Sequence, residues 1–139
     1  MHEIVKKFKF SKYADILAND KHAYFEYVLS KEPEGNGFVY LWLESDEESC
    51  NIVYIGKAGK RMIDRCKEHL GGFKGTSKSE AGLRHSRNIC KGIKARKTYQ
   101  VYFRKSEVQS ILGVEVSMCC VEEEALIQQM NPPWNKLKL

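Results

Sequence analysis

No apolar run in this chain approaches the ~20 residues that cross a bilayer. The N-terminus, MHEIVKKFKF, carries charges but lacks the apolar core of a signal peptide. These absences predict a protein that works away from membranes, cytoplasmic or nucleoid-associated. The five cysteines, Cys50, Cys66, Cys90, Cys119 and Cys120, are odd in number and show no CxxC spacing. A disulfide framework and a structural zinc site are thereby disfavoured, and reduced, mostly buried thiols are expected. Internal repeats and low-complexity tracts are also lacking.

What is there fits one domain with one ordinary core: 139 residues, 42% hydrophobic and 29% charged. The formal net charge of +5 is modest but unevenly placed. Residues 1–34 hold six basic and six acidic side chains, which cancel. Between 74 and 97 stand eight basic side chains, Lys74, Lys78, Arg84, Arg87, Lys91, Lys94, Arg96 and Lys97, against one acid, Glu80. Such one-sidedness suits a polyanion, while a solvated basic helix face gives the same composition.

Residues 1–34 read as a partly helical extension, with Asn19 or Asp20 capping a short helix through Ala23, Tyr24, Tyr27 and Val28. The Pro33–Gly37 segment ends it and opens a domain over 35–139. Phe38–Leu43 and Asn51–Ile55 have β composition, and the acidic stretch between them reads as a hairpin turn. A helix from about Lys60 to Leu70 stacks Arg61, Arg65 and His69 on one face, and Gly71-Gly72 ends it. A helix over about 82–94, a strand over 98–104 and a helix from about 116 to Met130 follow, stopped by Pro132-Pro133. The expected fold is α+β: a small, mainly antiparallel three-stranded sheet flanked by helices.

Three pieces stand out in this order. Gly37-Phe38-Val39-Tyr40 is followed across the hairpin by Val53-Tyr54-Ile55-Gly56-Lys57; then comes Arg65-x-x-x-His69; then Glu123 with Leu126-Ile127, Pro132 and Asn135. Singly, each reads as core packing or solvated helix. Together they resemble the GIY-YIG nuclease family over residues 37–135. Tyr54–Ala58 and the closing Glu123-to-Asn135 pattern are most similar to the excision-repair incision proteins. Two departures are visible: Phe-Val-Tyr stands in place of Gly-Ile-Tyr, and one extra residue separates Gly56 from Arg65. Arg61 is therefore a rival to Arg65, and Glu122 and Glu124 are rivals to Glu123.

The resemblance implies a phosphodiester hydrolase acting on DNA with Mg²⁺ (or Mn²⁺) on Glu123. A hard cation of this kind keeps waters and often takes only one or two carboxylates. Arg65 offers a permanently charged fork to phosphate. Tyr40 is the implied general base, which a neighbouring cation, Lys57 by motif, would help to ionise. His69 is a second candidate for that proton, Tyr54 a positioning group, and Asn135 a brace for Glu123 and the C-terminal turn. The basic 74–97 stretch would track DNA phosphates. Two alternatives share these residues: an inactive nucleic-acid-binding module, and a subunit that cuts only with a partner protein or as a homodimer.

Overall fold

The computed structural model describes residues 2–77 and 79–138, with side chains for all of these except 136–138. In chain order the elements are α1 (Glu3–Lys7), β1 (Ser11–Ala18), β2 (Ala23–Tyr27), β3 (Phe38–Ser45), β4 (Cys50–Ala58), α2 (Met62–Lys74), α3 (Glu80–Lys94), β5 (Thr98–Lys105), β6 (Val108–Ile111), β7 (Val114–Ser117) and α4 (Cys119–Met130). A 3-10 helix, Pro133–Lys138, closes the chain. The α+β class is as expected, but the main sheet has five strands, not three, in the order β2-β1-β5-β3-β4. Every neighbouring pair in it is antiparallel. Among the described residues no helix is long and apolar enough to cross a membrane.

The helix expected across 19–28 is instead a β-hairpin, and Asn19 shows why. Its Oδ1 accepts the backbone N–H groups of Lys21 and His22 at 2.8 and 2.9 Å. An N-cap would use the same hydrogen-bonding reach, but here it closes a turn. Ala23, Phe25 and Ile16 then point into one core, and Tyr13 and Ala14 join them. Tertiary burial of that alternating face overrides the weaker helical spacing. The β6–β7 hairpin was not foreseen from the sequence. Its turn, Leu112-Gly113, holds both residues at positive φ (53° and 83°), the geometry a two-residue hairpin loop favours.

β3 is buried on both faces, which is why it reads as the continuous run FVYLWL. Tyr40, Trp42 and Tyr54 pack on one side with Cys66 and Phe73 of α2 and Ile89 of α3. Val39, Leu41, Leu43 and Ile55 pack on the other with Ile4 and Val5 of α1 and Leu126 of α4. β4 continues past Gly56 to Ala58. Likewise α2 runs through Gly71-Gly72 and ends at Gly75, whose φ of 78° supplies the left-handed cap. Gly72 serves another purpose: α2 and α3 cross there in backbone contact, and a Cβ on Gly82 would lie 2.5 Å from Gly72 Cα.

That crossing is testable. Gly82→Ala should cost about 1–3 kcal/mol, the usual range for overpacking against backbone. Gly59→Ala, with nothing within 4 Å of its added Cβ, should stay within about 0.5 kcal/mol. Urea midpoints of the two variants against wild type check both, and equal midpoints would contradict the crossing.

Candidate active site

The β3–β4 register sets the site. Tyr40 pairs with Gly56 and Trp42 with Tyr54, so both tyrosines rise on the α2 side. Tyr40 is 1% exposed, and its ring passes over Gly56, where any Cβ would overlap the hydroxyl. α2 presents Arg65 and His69 one turn apart on the same side. The start of α2 is anchored by Glu32, whose carboxylate accepts the Ile63 N–H at 3.0 Å and the Tyr13 hydroxyl at 2.6 Å. Tyr40 Oη and His69 Nε2 then share a hydrogen bond of 2.5 Å. The Arg65 guanidinium lies beside the same phenol and favours its ionised form.

Burial pushes the Tyr40 hydroxyl well above its ordinary pKa, with Tyr54 adding to the rise and Arg65 opposing it. Arg65 feels burial as a pull toward neutrality, yet the phenols of Tyr40 and Tyr54 outweigh it and its pKa rises. Its side chain keeps 32% of its surface and contacts Glu68 at 3.8 Å. Arg61 is excluded from this cluster: it faces solvent and forks onto Asp64 at 2.9 and 3.0 Å.

A cleft of about 380 Å³ opens beside the cluster between α2 and α3, lined by Tyr54, Arg65, His69, Ser77, Gly82 and His85 among others. His85 is a site residue that sequence reading missed. No spacing or motif marks a lone histidine on α3. It is 5% exposed, stacks on Trp134 at 5.9 Å and 22°, and stands edge-on to Tyr54 at 4.9 Å. Burial lowers its pKa to about 4, with Arg84 and Arg65 adding to the fall and a hydrogen bond to the Trp134 carbonyl opposing it.

The other expected site residues lie elsewhere. Lys57 pairs with Val39 and so shares the opposite sheet face; the cation beside Tyr40 is Arg65, not Lys57. Glu123 is half-buried on α4, which packs on that same opposite face through Leu126 and Ile127. The two faces meet at β4, one of the sheet's two edge strands. Asn135 clamps that edge: its Oδ1 accepts the Ile55 N–H and its Nδ2 donates to the Ile55 carbonyl, both at 2.9 Å. It therefore braces β4 and the C-terminal turn rather than the glutamate. Glu122 is held by Arg104 at 3.7 Å and by the Glu107 N–H at 3.0 Å, and Glu124 is exposed.

Of the basic stretch, Arg84, Arg87, Lys91 and Lys94 lie along α3, Lys74 ends α2 and Arg96 sits in the following turn. Lys97 is bound to Glu44 at 3.2 Å. Lys78 lies outside the described residues.

Two solved structures share this fold. A glutamate-to-alanine mutant of bacteriophage T4 EndoII superposes with a TM-score of 0.70 at 20% identity, over 95% of this chain and 96% of that one. The restriction endonuclease Hpy188I in complex with product DNA gives 0.55 at 16% identity, over 93% and 80%. A "putative primase" of African swine fever virus is 30% identical over 56 residues, which is 40% of this chain but 6% of the viral protein. No family model matches the chain.

His85 carries a pH prediction. An unfolded histidine takes its proton near ~6.5, and folded His85 near 4. Between those values the unfolded chain binds the extra proton. This residue's contribution is thus full above pH 6.5, falls as the pH drops toward 4, and changes no further below. The loss amounts to roughly 3 kcal/mol at most. Urea midpoints from pH 7 to 4 should fall more steeply for wild type than for His85→Phe, and parallel curves would contradict a neutral buried imidazole.

Proposed function

We propose that this chain is a divalent-metal-dependent DNA endonuclease of the GIY-YIG kind, with the β4 edge as its active site. The observation that carries the reading is the hydrogen bond of buried Tyr40 to His69, with Arg65 beside it, behind a cleft that His69 and Arg65 line. Likeness to two structures of endonucleases supports it, and the Tyr54–Ala58 detail favours the incision-protein version of the motif.

Among the described residues no cluster of three or more His, Cys, Asp or Glu could hold an ion by itself. A lone carboxylate is nevertheless a sufficient protein donor for Mg²⁺ or Mn²⁺ when water and substrate phosphate complete the shell. Glu123 is the carboxylate that the motif register ahead of Leu126-Ile127 and Asn135 selects, and it is half-buried on α4. An ion there would polarise the phosphate and steady the leaving oxygen.

The protein's own part is proton and charge handling. A buried phenol does not ionise unaided, so Tyr40 can accept a proton from water only while giving its own to His69. The 2.5 Å hydrogen bond provides that path. The water oxygen then bonds to phosphorus as the bond to the 3′ oxygen breaks. Arg65 is the exposed member of the set and meets the phosphate, stabilising charge that grows on its oxygens. Each copy carries one such set, so cutting both strands calls for two copies or two encounters.

Supercoiled plasmid should be nicked or linearised in Mg²⁺ and left intact in EDTA. Arg65→Ala, Tyr40→Phe and His69→Gln should each lower turnover by about 10²-fold or more while DNA binding persists. Glu123→Ala should do the same, and Glu122→Ala should instead lower stability through the loss of its contacts to Arg104 and the Glu107 N–H. Wild-type protein that binds but never cuts would turn the reading toward a non-catalytic binding module. Near-normal cutting by Glu123→Ala would return the metal role to its neighbours.

A further inference from the structure

We infer that the β1–β2 turn and the C-terminal half of α3 form a second phosphate-binding groove, which holds the DNA backbone a few nucleotides from the cut. The inference rests on the nuclease reading for its substrate and adds a contact made by a part of the chain without any nuclease motif. The groove has a volume of about 460 Å³; its charged lining is Lys21, Arg87, Lys91 and Lys94 against one acid, Asp20. Among the described residues none of these four cations is ion-paired, whereas Lys12 and Lys97 are held by Asp15 and Glu44.

Two walls from distant parts of the sequence make this a groove rather than a basic helix face. Lys21 stands on a turn preformed by Asn19, and β2 is tied to α3 where Ser86 Oγ accepts the Ala23 N–H at 2.9 Å. Both walls are thus fixed before any ligand arrives, which lowers the ordering cost of binding. Four unpaired cations facing one hollow favour a ligand with several negative charges in a row.

The same helix also lines the catalytic cleft, through Gly82 and His85. At ~1.5 Å per residue, Lys91 and Lys94 lie about 9 and 14 Å beyond His85 along the axis. Successive phosphates of one strand advance ~3.4 Å along a duplex, so the groove meets the backbone about three to four nucleotides from the reacting phosphate. A contact at that distance adds affinity and register, not chemistry.

The test measures binding of a 20-base-pair duplex by fluorescence anisotropy in EDTA over a range of salt, and cleavage of the same duplex in Mg²⁺. Lys21→Glu and Lys91→Glu should each weaken binding about tenfold and reduce the salt slope by about one. Lys21→Arg should behave as wild type. At saturating DNA the kcat of Lys21→Glu should stay within about twofold of wild type while KM rises. An unchanged affinity and slope for Lys21→Glu, with its fold confirmed by circular dichroism, would overturn the groove while cleavage by wild type stood. The converse result, wild type binding without cutting and Lys21→Glu binding weakly, would sink the nuclease reading and support the groove.

Discussion

Everything at the site depends on Tyr40 lying opposite Gly56. Strand side chains alternate faces, so sliding β4 by one residue against β3 would put Lys57 under the tyrosine and Tyr54 on the wrong side. The bare glycine backbone lets the phenol cross its neighbouring strand and reach His69 and Arg65. Burial on both faces of β3 then holds the register, since a slip would also turn Trp42 away from the core it shares with α2 and α3. A short hydrogen bond between two side chains thus rests on how many apolar groups would be misplaced without it.

The electrostatics follow from that packing. Tyr40 is deep enough to stay protonated, and Arg65 is shallow enough to stay charged beside it. Nearby, His85 is kept neutral by the aromatic surroundings that Trp42, Tyr54 and Trp134 provide. The cleft therefore places the Arg65 cation, with Glu68 3.8 Å away, beside a histidine, His85, that burial keeps neutral. The attraction for an anion there comes from the Arg65 guanidinium, whose planar fork suits phosphate.

Much of this was legible in the residue order, because local signals and tertiary burial agree there. The paired strands around Tyr40 and Tyr54 announce themselves by β composition, Arg65 and His69 by their helical spacing, and the end of α4 by Pro132-Pro133. The misreadings arose where one local signal serves two structures. Asn19 closes a hairpin with the same bonds that would begin a helix, and Gly72 marks a helix crossing with the same residue that would end one. His85 left no signal, since its role comes from its neighbours in space. The facial separation of Lys57 from Tyr40 follows from strand alternation once the β3–β4 register is known.

The order of the strands in the sheet differs from their order in the chain. β5, in the middle of the sheet, is made last, after the β1–β2 and β3–β4 hairpins that it joins. During vectorial synthesis those hairpins wait apart, each with an unpaired edge, until residues beyond 98 emerge. Pairing β1 with β5 then closes a long loop, which is slow relative to local hairpin formation. Until it closes, Tyr13, Ile16 and Leu41 sit on strands open to pairing with other chains. The molecule's greatest exposure to aggregation thus falls in that interval of its synthesis, before the folded state exists.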